Sequence, residues 1–243
     1  GLPNLFIKNI PPISTTDVQV ARPEVYYGEM GNEYCIVNSR AQEFDYPSGD
    51  QNVYSAYEGT GGLQIGSLLR RLLFAIKFKE TKILLSQDIQ SESRVMIYRQ
   101  VMERTQRLTP FIEFDQDPYM VIDKAGHLWW MLDGYTISSQ FPYSEPVKRG
   151  VNYIRNAVKV TVNAYDGRMN YYLADNTDPL IRAYVNIFPG VFTPLSEMPE
   201  DLRDHIRYPQ DMFSMQAQMY SNYHMTDPRV FYNKEDLWRV TQK

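Results

Sequence analysis

Gly61 and Gly66, in the run GGLQIGS, have the separation used by loops that cradle phosphates with their backbone N–H groups. Ser67 stands where such a loop needs its phosphate-gripping lysine, and Leu68 where it needs a magnesium-holding hydroxyl. The run is better read as a glycine-rich lead into a helix. No strand leads into a G-x-G-x-x-G turn, so a dinucleotide site is not encoded either. His127, His205 and His224 do not share the i, i+3 or i, i+4 spacing of a zinc helix. Glu113, Asp115 and Asp117 cluster ahead of Pro118 in the manner of a weak calcium loop, but the pattern lapses after Asp117 and a solvated acidic loop is expected. No cofactor or metal is therefore expected. Nucleophilic catalysis lacks its G-x-S-x-G elbow. Glycoside cleavage needs two carboxylates whose test is separation in space; Asp45, Asp133 and Glu145 are the candidates, and no catalytic residue is assigned.

Recognition is better served. Residues 133–155, DGYTISSQFPYSEPVKRGVNYIR, follow a strand end and carry Pro142 and Pro146. They gather Tyr135, Tyr143, Glu145, Asn152, Tyr153 and Arg155 in one loop region. Loops on a rigid frame are where binding residues concentrate. These six are the expected ligand-binding residues.

The composition excludes several classes of partner. Net charge is −4 and no block of Lys and Arg stands out, which argues against a nucleic-acid groove and against a membrane-surface helix. The chain has 19 Tyr against 11 Phe and 3 Trp, a bias that suits glycan or protein contacts as well as strand packing. Cys35, the single cysteine, sits in the apolar run Tyr34-Cys35-Ile36-Val37 and reads as a small core residue. No segment has the roughly 18 apolar residues of a membrane span. The start at Gly1 suggests an excised piece of a longer protein.

The elements that must position these residues follow from periodicity. Hairpins are expected at about 25–38, 119–135 (turning at Lys124-Ala125-Gly126) and 157–174. In the last, Val158, Val160 and Val162 alternate with Lys159, Thr161 and Asn163, the pattern of a half-buried strand, and Asp166-Gly167 predicts a two-residue type I′ turn. Amphipathic helices are expected at about 63–78, 92–108, 199–206 and 209–224. In the first, Ile65, Leu68, Leu69, Leu72 and Ile76 form the core face. In the last, Met212, Phe213, Met219, Tyr220 and Tyr223 form an apolar face, and Asp227-Pro228 closes it. Residues 44–62 are turn-rich without a regular period, and the proline-bearing segment 1–23 reads as an extended arm. Together these give a single α+β domain over 1–243, its hairpins covered by helices.

The strings LPNLFIKNIPP, RRLLFAIKF, FPYSEP, NYIRNAVKVTVNAYDG, LSEMPEDLRDHIRYPQDMF and YHMTDPRVFYNKEDLW resemble uncharacterised protein family 0182, large bacterial membrane proteins, over essentially the whole chain. The resemblance implies a membrane-embedded region in the parent protein. It also implies that this chain is the soluble portion on the extracytoplasmic side of the cell membrane. It supplies no reaction and no catalytic residues. The expected function is a non-catalytic module that binds a partner protein or an envelope component such as a glycan, with the parent's membrane region as its other partner. The rival is an envelope-directed hydrolase of glycan or peptide.

Overall fold

A computed structural model describes residues 7–8, 13–14, 19–31, 33–48, 51–146 and 150–239. The architecture is α+β, with helices set among mainly antiparallel sheets. The residues group into two compact units, one of 1–110, 119–131 and 160–170, the other of 111–118, 132–159 and 171–243. No helix among the described residues is long and apolar enough to cross a membrane.

In the first unit, the hairpin expected at 25–38 does not form. Tyr34–Val37 pairs instead with Arg94–Ile97, and Gly28 bridges to Gln100 in parallel. The expected helix 92–108 is correspondingly split: Arg94–Ile97 is a strand, Tyr98 has a positive φ of 51°, and a helix runs only over Val101–Leu108. Val95 and Ile97 favour a pleated backbone, and pairing on two sides, with Tyr34–Val37 and with Leu63–Gln64, outweighs their fit to a helical period. The helix is capped by Gln100, whose side chain accepts from Glu103 N–H. Glu43–Ser48 and Gln51–Ser55 pair antiparallel in the stretch that shows no period. Cys35 is half-buried, and burial pushes its thiol pKa up.

The helix expected at 63–78 begins at Leu68, where the Ser67 hydroxyl accepts from Arg70 N–H. Its inward face is not the predicted one. Ala75, with half-buried Phe74 and Phe78, packs on Ile65, Ile83, Ile89 and Val95, whereas Leu68, Leu69, Leu72 and Ile76 are exposed. Lys82–Leu85 adds a short helix.

The hairpin at 119–135 forms as expected, Tyr119–Ile122 against Leu128–Ser138. Gly126 takes a φ of 82°, and Asp123 accepts from the N–H groups of Ala125 and His127 and from the Trp129 indole. Of the expected arm 1–23, Ile7–Lys8 pairs with Ile13–Ser14 and Ala21 N–H donates to Gly126 O; the remaining positions up to 18 lie outside the described residues.

The third hairpin is Tyr153–Asn163 with Met169–Leu173, inside a sheet that also holds Leu128–Ser138. Its turn is longer than predicted. Only Gly167 has a positive φ, and the Asn163 side chain accepts from the N–H groups of Tyr165 and Asp166, a local bond that replaces the type I′ geometry. A Cβ on Gly167 would also meet the Tyr27 ring at 2.5 Å. Residues 157–163 are buried throughout, so the half-buried strand expected from the alternation is covered on both faces. Each valine contributes on the order of 1.5–3 kcal/mol by its burial.

In the second unit, Pro179–Ile187 is a helix with no counterpart in the sequence reading. Asp178 caps it, and Pro179 opens it. Phe192–Pro194 pairs in parallel with Tyr171–Leu173. The expected helix 199–206 shortens to Glu200–Arg203, and 209–224 becomes Gln210–Tyr220. Asp227 opens a helix, Pro228–Asn233, by accepting from Arg229 and Val230 N–H, so Asp227-Pro228 is a start and not a stop.

Candidate functional site

A depression in the second unit, with about 810 Å³ of free volume, lies between residues 141–155 and helix Gln210–Tyr220. Met212, Met215 and Met219 recur at helical spacing along one wall, continued by Tyr220 and Tyr223. No residue of that helix is fully buried, so its apolar face is spent on lining the depression and not on the core. Phe141 and Tyr153 stack at 5.3 Å on the other wall, and the Arg155 guanidinium lies 5.3 Å from the Tyr153 ring centre.

Buried carboxylates hold both walls. Asp178 accepts from Thr136 Oγ1 at 2.7 Å, from Ile181 N–H at 2.9 Å and from the Tyr153 hydroxyl. Burial and then this carboxylate raise the Tyr153 pKa, against the opposing Arg155 charge. Asp115 accepts from the Tyr135 hydroxyl and, at 2.9 Å, from Asp211 N–H in the first turn of the methionine helix. The cap that Pro209 cannot supply is thus provided from 96 positions away. Asp211 in return accepts from Gln116 N–H. Asn152 fastens the loop: its Oδ1 accepts from Phe141 N–H, and its Nδ2 donates to Phe141 O and Ser144 O.

Four of the six expected binding residues, Glu145, Asn152, Tyr153 and Arg155, line this groove together. Asn152 does so as a loop clamp. The other two do not line it. Tyr135 is 2% exposed, and burial followed by the Asp115 bond raises its pKa well above the usual phenol range. Tyr143 projects fully into solvent. Positions 147–149 of the same loop lie outside the described residues. The helical spacing of the groove's methionines is visible in the sequence, but their exposure is not.

The remaining chemical candidates have structural partners. Asp133 is buried against Lys159 and also accepts from Asn156 Nδ2 at 3.1 Å. Asp117 pairs with Arg207, and Asp115 with Tyr135. The side chain of Asp45 lies outside the described residues. Among the described residues no three His, Cys, Asp or Glu side chains come together as a metal site. His127 is half-exposed and faces Asp123 at 3.2 Å.

Two of the smaller grooves that share residues with the main one extend it along the helix. One, of about 280 Å³, shares Glu145, Met219 and Tyr223 and extends to Phe231 and Lys234. The other, of about 420 Å³, shares Ile154, Arg155, Met212 and Gln216 and extends to Tyr208 and Lys159. The methionine helix therefore borders an elongated track.

Comparison with known proteins agrees with the family resemblance. The chain is 56% identical over 241 residues to a UPF0182 protein of Desulforamulus reducens, covering 99% of this chain and 26% of that relative. It is 54% identical over 240 residues to a UPF0182 protein of Pelotomaculum thermopropionicum, covering 99% of this chain and 26% of that one. A UPF0182 protein of Pelobacter propionicus is 52% identical over 240 residues, again 99% of this chain and 27% of the relative. The chain thus spans about a quarter of the length of these relatives. No solved structure matches it. The uncharacterised protein family model (UPF0182) matches residues 1–243, and the chain belongs to that family.

Proposed function

We infer that this chain is a non-catalytic binding module of a larger envelope membrane protein, and that its methionine-lined track seats an extended apolar segment of a partner protein. The observation that carries this reading is the convergence of Met212, Met215 and Met219 with Phe141, Tyr153, Tyr220 and Tyr223 on one continuous track. Unbranched thioether side chains repack around ligands of different shape, so a methionine wall suits apolar segments of varied sequence. Stacked aromatics add rigid contact area at low entropic cost. Glu145 and Arg155 supply charges that would fix the direction of the bound segment. The assignment as non-catalytic is supported by the internal engagement of Asp115, Asp117 and Asp133.

Selection of a displayed random peptide library on the 243-residue chain tests this reading. Enrichment of sequences rich in aromatic and aliphatic residues is expected, with binding lost on Met215→Glu and weakened about tenfold or more on Arg155→Ala. Selection no better on the native chain than on Met215→Glu would overturn it. The membrane and extracytoplasmic placement rests on the family resemblance. Protease added outside spheroplasts should cut the parent protein within this segment, and protection there, with cleavage only after lysis, would reverse the placement.

A further inference from the structure

The Leu68–Phe78 helix turns its aliphatic face away from its own core. Leu68 is 72% exposed, Leu69 67%, Leu73 58% and Ile76 66%, with Leu72 also exposed. At about 100° per residue these five side chains span an arc of roughly 140° on one side. The opposite side, bearing Phe74, Ala75 and Phe78, is the one that packs.

The charge around this face is distinctive. Residues 68–85 hold five cations against one acid, in a chain whose net charge is −4. Arg71 is occupied on the packed side, donating to Ser86 O and Ile89 O. Arg70 and Lys77 border the aliphatic face and are exposed, and Lys79 and Lys82 are exposed just beyond it. Arg70 donates to Gln64 O and Lys77 to the Tyr98 hydroxyl, neutral acceptors that leave both charges uncompensated. Leu85, at 76% exposure, extends the apolar surface into the next helix.

We propose that Leu68–Phe78 is an interfacial helix that lays its leucine face into an anionic lipid bilayer, with Arg70, Lys77, Lys79 and Lys82 meeting the headgroup phosphates. Leucines on one face, flanked by Lys and Arg, are the composition that lies in the plane of an acidic membrane surface. Each cation near such a surface adds to the attraction until salt screens it. A second copy of this chain is a poorer occupant, because a twofold contact would set these cations against their own images. A protein partner is also a poorer fit, since the exposed face is all aliphatic and lacks the aromatic anchors typical of such interfaces. Such a helix would run against the expectation from composition alone that no membrane-surface helix is present. The signal is local, and the chain's acidic balance hides it.

Co-sedimentation of the 243-residue chain with vesicles tests the proposal. One vesicle set is pure phosphatidylcholine, and the other is an equal mixture of phosphatidylcholine and phosphatidylglycerol. Binding should be at least about tenfold stronger to the mixed vesicles at low salt and should fall as salt rises. Leu69→Asp with Leu72→Asp should abolish it, and replacing Arg70, Lys77, Lys79 and Lys82 by Gln should reduce it to the level on pure phosphatidylcholine. All six positions are exposed, so the variants should keep the native circular dichroism; if one does not, the lipid and salt dependence of the native chain still decides. Absence of vesicle binding, or binding indifferent to both sets of substitutions, would overturn the proposal. So would a concentration-dependent dimer that the aspartate variant dissolves, because the face would then belong to a second copy.

Discussion

Asp178 ties three elements together at the groove, because one buried side chain satisfies a helix N-terminus, a strand threonine and the groove tyrosine. Asp178→Ala would strand two hydroxyls and remove a cap, and we expect a loss of about 2–4 kcal/mol by chemical denaturation. Asp178→Asn should lose less. The buried Asp133–Lys159 pair behaves differently, since removing one partner leaves the other charged and enclosed. Lys159→Met should cost about 3–5 kcal/mol, and adding Asp133→Asn should recover part of it. Asp123 governs an acid-dependent term. Burial raises its pKa, but hydrogen bonds from His127 N–H and the Trp129 indole outweigh that and leave it lowered. A lowered folded pKa contributes stability that is complete above the unfolded value of about 3.9 and is lost as pH falls through the folded value. The denaturation midpoint should therefore drop on acidification below about pH 4, and Asp123→Asn should flatten that limb.

The elements owe their direction to groups distant in the chain. Helix Gln210–Tyr220 begins at Pro209 without a cap of its own and takes one from Asp115. Asp115→Ala should raise amide exchange selectively in the first turn of this helix and weaken peptide capture by the groove. Unchanged exchange would show that the cap does not anchor it. Gly134, in strand Leu128–Ser138, leaves room that a Cβ would fill at 2.8 Å from Ile112 Cγ2 and 3.2 Å from Val158 Cβ. Gly134→Ala should cost about 1–3 kcal/mol through overpacking. Much at this scale is legible in the sequence: Gly126 at a turn, the 119–135 hairpin and the two strands of the third. The split of 92–108 is not, because Val95 and Ile97 satisfy both periods locally and only pairing with Tyr34–Val37 chooses between them.

Across the whole molecule, a peptide seated in the groove would couple binding to stability. A peptide that binds the native track and not the unfolded chain should raise the thermal midpoint in step with its concentration, by about 2.7 kcal/mol of stability at one hundred times its dissociation constant. Met215→Glu should abolish the rise. The relatives extend well beyond the span matched here, so the same measurement on a longer family protein would show whether the track is open to an added peptide there.

Local pattern determined the α+β character, the turn glycines, the grouping of Glu145, Asn152, Tyr153 and Arg155, and the family. Each depends on backbone preference or on residue identity at short range. Tertiary structure alone decided that Leu69 and Leu72 face outward while Phe74 and Phe78 pack. It also decided that Lys159 and Thr161 are buried beside Val160, and that Met215 lines a groove. Periodicity marks an apolar face without naming the surface it meets. That surface is supplied by residues far along the chain, and the free energy of burial goes to whichever face they cover.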